Sequence, residues 1–171
     1  MLTLSNGLSV IRVPLAFLFI FSSPYIRLTA IILAMITDSI KPDVAIVTDV
    51  CHDTTTPMID KVNEGMVVGG KGPCLMTGPA VHNTLLKMIK KAAVDNDIPF
   101  QRASASTSTG TNTDAYAYSN GGVPSALISL PLRYMHTTVE SAHIDDVNSV
   151  IELIYNTLLS IENKQDFRYF K

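Results

Sequence analysis

Two side chains able to bind a metal stand at the ends of apolar runs. Asp49 lies near the close of Val44-Ala-Ile-Val-Thr-Asp-Val50, and His136 closes Pro131-Leu-Arg-Tyr-Met-His136. A carboxylate and a neutral imidazole are both good ligands for zinc or cobalt. Taken alone the pair is weak evidence, because a histidine after a strand is more often structural or exposed. His52 and Asp53 follow Asp49 directly and read first as loop residues, second as walls of a pocket beside a metal. Glu140 reads equally as an acceptor for the His136 imidazole and as a solvated loop carboxylate. Arg133 reads as the partner of a core carboxylate, or as a ligand for a peptide carbonyl. Asn112 and Asp114 read as a polar turn that caps the next helix. His82 and His143, each near a helix start, read as surface residues. Cys51 and Cys74 have neither C-x-x-C nor Cys/His spacing and read as reduced core residues. Gly69-Gly-x-Gly72 lacks the G-x-G-x-x-G spacing of a dinucleotide loop.

The elements that must position these groups alternate. Val44–Val50 is a β-branched run suited to a buried parallel strand. Gly72–Gly78 reads as a short strand bounded by glycines. The run from His82 to Asn96 carries Leu85, Leu86, Ile89, Ala92 and Ala93 at helical spacing. A strand starts at Ile98–Gln101, a short helix spans Thr113–Ser119, and a second buried strand spans Gly122–Leu130. The last helix, Asp145–Ile161, places Val147, Val150, Ile151, Ile154, Leu158 and Ile161 on one face, with Asp145 or Asp146 near its positive end. This alternation predicts an α/β fold, a sheet with helices on its faces. In such sheets reactive groups gather at the carboxyl ends of strands, where Asp49 and His136 fall.

Composition sets a boundary. The chain has 171 residues and a net charge of -2, which gives no reason to expect a nucleic-acid partner. Mean hydropathy is +0.26, and the excess is local. From Val10 to Ile36 the only charges are Arg12 and Arg27. The expected organisation is an apolar helical leader over 1–40, an α/β body over 41–163 and a polar, fraying tail over 164–171. Each apolar block of the leader, 13–21 and 28–36, is shorter than the roughly 20 residues that cross a bilayer. A hairpin in contact with a membrane through residues 10–36 is one reading. A single span would bury Arg27 at a cost of about 2.5–3.5 kcal/mol.

Leu4-Ser-Asn-Gly-Leu-Ser-Val-Ile-Arg12 and the apolar helix after it give residues 3–38 a resemblance to the N-terminus of CDP-alcohol phosphatidyltransferases. The aspartate signature of those enzymes would begin at Asp38, but the chain continues Ser39-Ile-Lys-Pro42. Lipid synthesis is therefore not expected.

A second resemblance covers residues 43–162. Asp49-Val-Cys-His-Asp-Thr54, Gly70-Lys-Gly-Pro73, Gly121 to Glu140 with its Arg-Tyr-Met-His-x-x-x-Glu segment, and Asp145-Asp-Val147 occur in that order. They resemble the C-terminal part of the catalytic domain of TET-type (glutamyl or deblocking) aminopeptidases. The resemblance implies a partial three-layer α/β/α zinc-exopeptidase-like domain acting on peptide substrates. It implies two divalent metals, Zn or Co, that share a bridging carboxylate and activate a water. Asp49 and His136 match ligands that belong to different metals. Asn112 falls where the family has an aspartate that would fix the substrate's amino end; Arg133 stays a candidate substrate contact and Glu140 a candidate acceptor for the imidazole on their own residue types alone. The family often has Gly-Thr-Asp where this chain has Gly110-Thr111-Asn112. The other ligands and the general-base glutamate lie upstream in the family, where this chain has its apolar leader. The expectation is a truncated form, inactive alone, that leaves room for an oligomer. The rival reading is a non-catalytic, membrane-associated protein with a remnant α/β domain. The leader and the location it implies, cytoplasmic or at a membrane, separate the two.

Overall fold

The computed structural model describes residues 35–163 and 165–168. Residues 35–40 are helical, and Thr37 there is buried. The elements that follow are β1 (Ala45–His52), α1 (Lys61–Glu64), β2 (Cys74–Thr77), α2 (Asn83–Asp95), β3 (Gln101–Ser104), α3 (Asn112–Tyr118), β4 (Ser125–Arg133), β5 (Ser141–Ala142) and α4 (Ile144–Ser160). The fold is α/β, as the alternation predicts. The leader hairpin, its membrane contact and nearly all of the 3–38 resemblance fall on residues 1–34, outside the described residues. No helix among the described residues is long and apolar enough to cross a membrane.

The sheet runs β1-β4-β2-β3, with β5 on the end of β4. β4 is parallel to β1 and antiparallel to β2, and β2 is parallel to β3. Its central place explains why Ser125 to Ser129 are buried without a break. Side chains alternate across a strand. Ala126 and Ile128 join Leu75 in the main core with Leu85, Leu86, Ile89, Ala92 and Ala93 of α2. These five α2 residues are the predicted stripe, and burying Leu85 or Ile89 contributes about 1.5–3 kcal/mol each. Val47 and Leu127, paired in register, face the opposite side, and α3 packs against β1 and β4.

Four expectations are corrected. β4 does not stop at Leu130 but runs through Pro131 to Arg133, because its pairing with β1 extends to His52 beside Leu132. Proline is tolerated there because β2 pairs with β4 only at Ile128 and Ser129, leaving one flank of Pro131 without that neighbour. α4 does not bury the predicted stripe. Its buried residues are Asp146, Ser149, Leu153 and Thr157, with Val150 and Ile154 half-buried beside them, while Ile151 is 60% exposed. Small side chains at 149 and 157 let α4 approach its neighbours, and the Asp146 carboxylate has backbone partners to meet. The polar tail does not simply fray, since Phe167 is buried in the main core.

His82 is the fourth correction. It is half-buried at the N-cap of α2 and meets the Phe167 ring edge-on, with centroids 6.0 Å apart. Burial holds its imidazole below the ordinary value, against a hydrogen bond to the Phe167 backbone that raises it. A depressed folded value means the unfolded chain takes up the proton more readily. Stability is therefore full above the ordinary imidazole value and falls as pH drops from there through the folded value. Thermal unfolding between pH 7.5 and 5 should show this loss, and His82→Gln should flatten it. An unchanged slope in the variant would remove His82 as the cause.

Candidate functional site

The β1–β4 register sets Asp49 beside Ser129, and the β2–β4 register sets Cys74 on the other side of Ser129. Asp49 is half-buried, and its Oδ1 accepts from the Val50 N–H at 2.8 Å. Burial raises its carboxyl above the ordinary value, outweighing that hydrogen bond and the nearby His136, both of which lower it. The fold thus brings the two sequence-predicted ligands within electrostatic reach, although 136 lies far from 49 in the chain.

His136 is exposed on the turn that follows β4. Tyr134 and His136 have φ of 53° and 65°, the left-handed region that non-glycine residues rarely occupy. Such strain persists where surrounding bonds fix it, and it concentrates at functional sites. Thr137 supplies two of those bonds, its N–H and its hydroxyl donating to the Tyr134 carbonyl at 3.1 and 2.6 Å. The Glu140 carboxylate accepts from the His136 backbone N–H. This bond ties the carboxylate to the loop backbone. The Arg133 guanidinium lies 5.4 Å from the Tyr134 ring centroid, a cation–π contact at the base of the same loop.

Asn112 opens α3 and is half-buried, but the cap is Thr111, whose hydroxyl accepts from the Thr113 N–H at 3.2 Å. Asp114 accepts from the Thr109 and Gly110 N–H groups at 3.0–3.1 Å and closes the loop before the helix. Cys51 and Cys74 are free thiols. The neighbouring Cys74 thiol, then burial, hold the Cys51 thiol well above its ordinary value.

The sequence reading missed a carboxylate grip on the Gly69–Gly72 loop. Asp53 is 4% exposed and accepts from the Thr55 N–H at 2.8 Å, the Thr55 hydroxyl at 2.7 Å and the Gly69 N–H at 3.1 Å. Burial alone would raise its carboxyl, but these bonds and nearby Arg133 hold it below the ordinary value. Asp146 is fully buried and accepts from Gly70 and Gly72 N–H, both at 2.7 Å. Asp53 is thus a structural anchor. The usable signal was a Gly-x-Gly segment together with acidic residues at a helix start.

Among the described residues, no group of three or more His, Cys, Asp or Glu side chains is placed to hold a metal ion. Asp49 and His136 offer one oxygen and one nitrogen. These two donors do not by themselves fit a bridged two-metal centre, which needs further ligands.

Residues 33–153 match the M42 glutamyl aminopeptidase family, and the chain belongs to that family. The match begins inside the second apolar block of the leader. A relative from Acetivibrio thermocellus, provisionally named as an aminopeptidase, is 32% identical over 123 residues, 70% of this chain and 36% of that protein. The lysyl aminopeptidase of Pyrococcus furiosus is 33% identical over 84 residues, 49% of this chain and 24% of that protein. A TET aminopeptidase structure from a marine-sediment thaumarchaeon superposes with a TM-score of 0.65 at 26% identity, over 75% of this chain and 36% of that one. The chain therefore spans little more than a third of the length of the first of these relatives.

Proposed function

We propose that this chain contributes the C-terminal part of a metal-dependent aminopeptidase, which removes N-terminal residues from peptides. Asp49 offers its carboxylate to one metal and His136 its imidazole to the other, with zinc or cobalt as the metal. The remaining donors and the general base come from outside the described residues. Asn112 and Arg133 contact the peptide, and Glu140 is a positioning residue that fixes the His136 loop. The observation that carries this reading is Asp49 inside β1, three residues before its end at His52 and not at the end as expected, within electrostatic reach of a histidine on a strained turn, in a chain of the M42 family. Family membership supports a cytoplasmic location. An oligomer belongs to the same proposal: α4 exposes Ile151, Tyr155 and Leu159, and a solved neighbour of this fold is titled a dodecamer.

The test is metal content and hydrolysis of aminoacyl chromogenic substrates, with the chain alone and co-expressed with the upstream part of an M42 catalytic domain. Turnover should appear only on co-expression and drop at least about a thousandfold in Asp49→Ala or His136→Ala, as expected when a metal ligand is lost. Turnover by the chain alone would end the partial-site reading. Turnover that survives both substitutions would end the ligand assignment. No turnover on co-expression, with both parts folded, would leave family ancestry without the activity.

A further inference from the structure

Three sulfur atoms gather on one side of the sheet. Leu75 faces the main core, so alternation turns Cys74 and Met76 of β2 to the opposite side. Val47 faces that opposite side, so alternation along β1 turns Cys51 the same way. The registers set the two strands on either flank of β4, with Cys51 beside Pro131 and Cys74 beside Ser129. The Cys74 thiol donates to the Met76 Sδ at 4.0 Å, and the Cys51 thiol neighbours the Cys74 thiol. Both cysteines are free. Cys74 is fully buried and forms the floor of the group. Cys51 and Met76 are half-buried, which leaves a way in for an ion. None of the three takes part in the chemistry drawn from Asp49 and His136.

We propose that Cys51, Cys74 and Met76 form a three-sulfur site for a soft monovalent cation, Cu(I). Thiolates and a thioether are the ligand types that select Cu(I), whereas hard cations prefer oxygen. Sulfur–metal bonds of about 2.3 Å put three sulfurs around one ion about 4 Å apart, the spacing that Cys74 and Met76 already have. Zinc fits less well, because its structural sites take four ligands from Cys, His and carboxylates and do not use a thioether. An iron–sulfur cluster takes four cysteines, and the chain has two. The ion enters as Cu(I), so no electron is transferred. The two thiols release their protons to solvent as their sulfur–copper bonds form, and Met76 donates a lone pair without losing a proton. The site does not depend on the peptidase reading and is read by binding, so a chain without turnover tests it equally well.

The experiment sets the full chain, reduced and kept free of oxygen, in competition with ferrozine for Cu(I). The chain is expected to withdraw one Cu(I), and X-ray absorption at the copper edge should show sulfur neighbours only. Met76→Leu conserves volume while removing the thioether, and Cys51→Ala removes a thiol that is only half-buried. Each should weaken binding at least tenfold, with circular dichroism confirming that the variants fold as the parent does. His136→Ala should bind Cu(I) as the parent does, which separates the sulfur site from the Asp49 and His136 pair. Copper left wholly with the competitor, nitrogen or oxygen neighbours at the copper, full affinity in either folded sulfur variant, or loss of binding in His136→Ala would overturn the proposal.

Discussion

Asp146→Ala should destabilise this chain by about 2–5 kcal/mol. The carboxylate is fully buried and takes the Gly70 and Gly72 N–H groups, one on each oxygen. Truncation removes two charge-assisted hydrogen bonds, each worth about 1.5–3 kcal/mol; Gly72 is buried and keeps an unsatisfied donor, whereas the exposed Gly70 can turn to water and recovers part of its loss. Asp146→Asn keeps one acceptor oxygen and should lose less. The neighbouring Asp145 is the control. Its side chain is 75% exposed and among the described residues pairs with His143 at 3.5 Å, so Asp145→Ala should stay within about 1 kcal/mol of the parent. Urea unfolding of the three variants checks the order, with an unchanged m-value confirming that stability and not denatured-state compactness has moved. Amide exchange at Gly70 and Gly72 should accelerate selectively in Asp146→Ala. If the Asp146 and Asp145 variants unfold at the same midpoint, the buried grip contributes nothing.

The grip also explains why some features were legible in the sequence and others were not. The α2 stripe was readable because Leu85, Leu86, Ile89, Ala92 and Ala93 are apolar at helical spacing and nothing polar on that face competes. In α4 the same periodicity pointed to the wrong face. Apolar residues lie on more than one side of that helix, and the buried side is chosen by Asp146 and the Gly69–Gly72 loop, a contact across 76 positions. Periodicity within one helix cannot contain such a contact. The proposed Asp49–His136 pairing rests on the Arg-Tyr-Met-His-x-x-x-Glu resemblance, since alternation says which residues lie on strands but not which strands meet. The β1–β4 register supplied that missing step. Asp53 failed for a related reason. Its sequence neighbours suggest a loop, whereas its burial comes from Thr55 and from Gly69, 16 positions on.

The same loop contains the glycine least able to change. Gly72 has φ of +89°, and a Cβ there would sit 2.1 Å from the Pro99 carbonyl oxygen. That oxygen is backbone, so no side-chain rotation relieves the collision. Pro99 is also held from both sides, by Ile98 joined to the Ala93 carbonyl at 2.9 Å and by Gln101 joined to the Pro73 carbonyl at 2.8 Å. Gly72→Ala should therefore cost more than the conformational penalty alone, on the order of 4 kcal/mol or more, which puts it among the largest single-residue effects. Gly65 separates the two contributions. It has a similar φ of +80° but nothing within 4 Å of the added carbon, so Gly65→Ala should cost only its backbone penalty, about 1–3 kcal/mol. The comparison is made by thermal or urea unfolding of both variants. A Gly72 variant no less stable than the Gly65 variant would mean that the segment from Ile98 to Gln101 yields at little cost, and that the β2–β3 end of the sheet is softer than its hydrogen bonds imply.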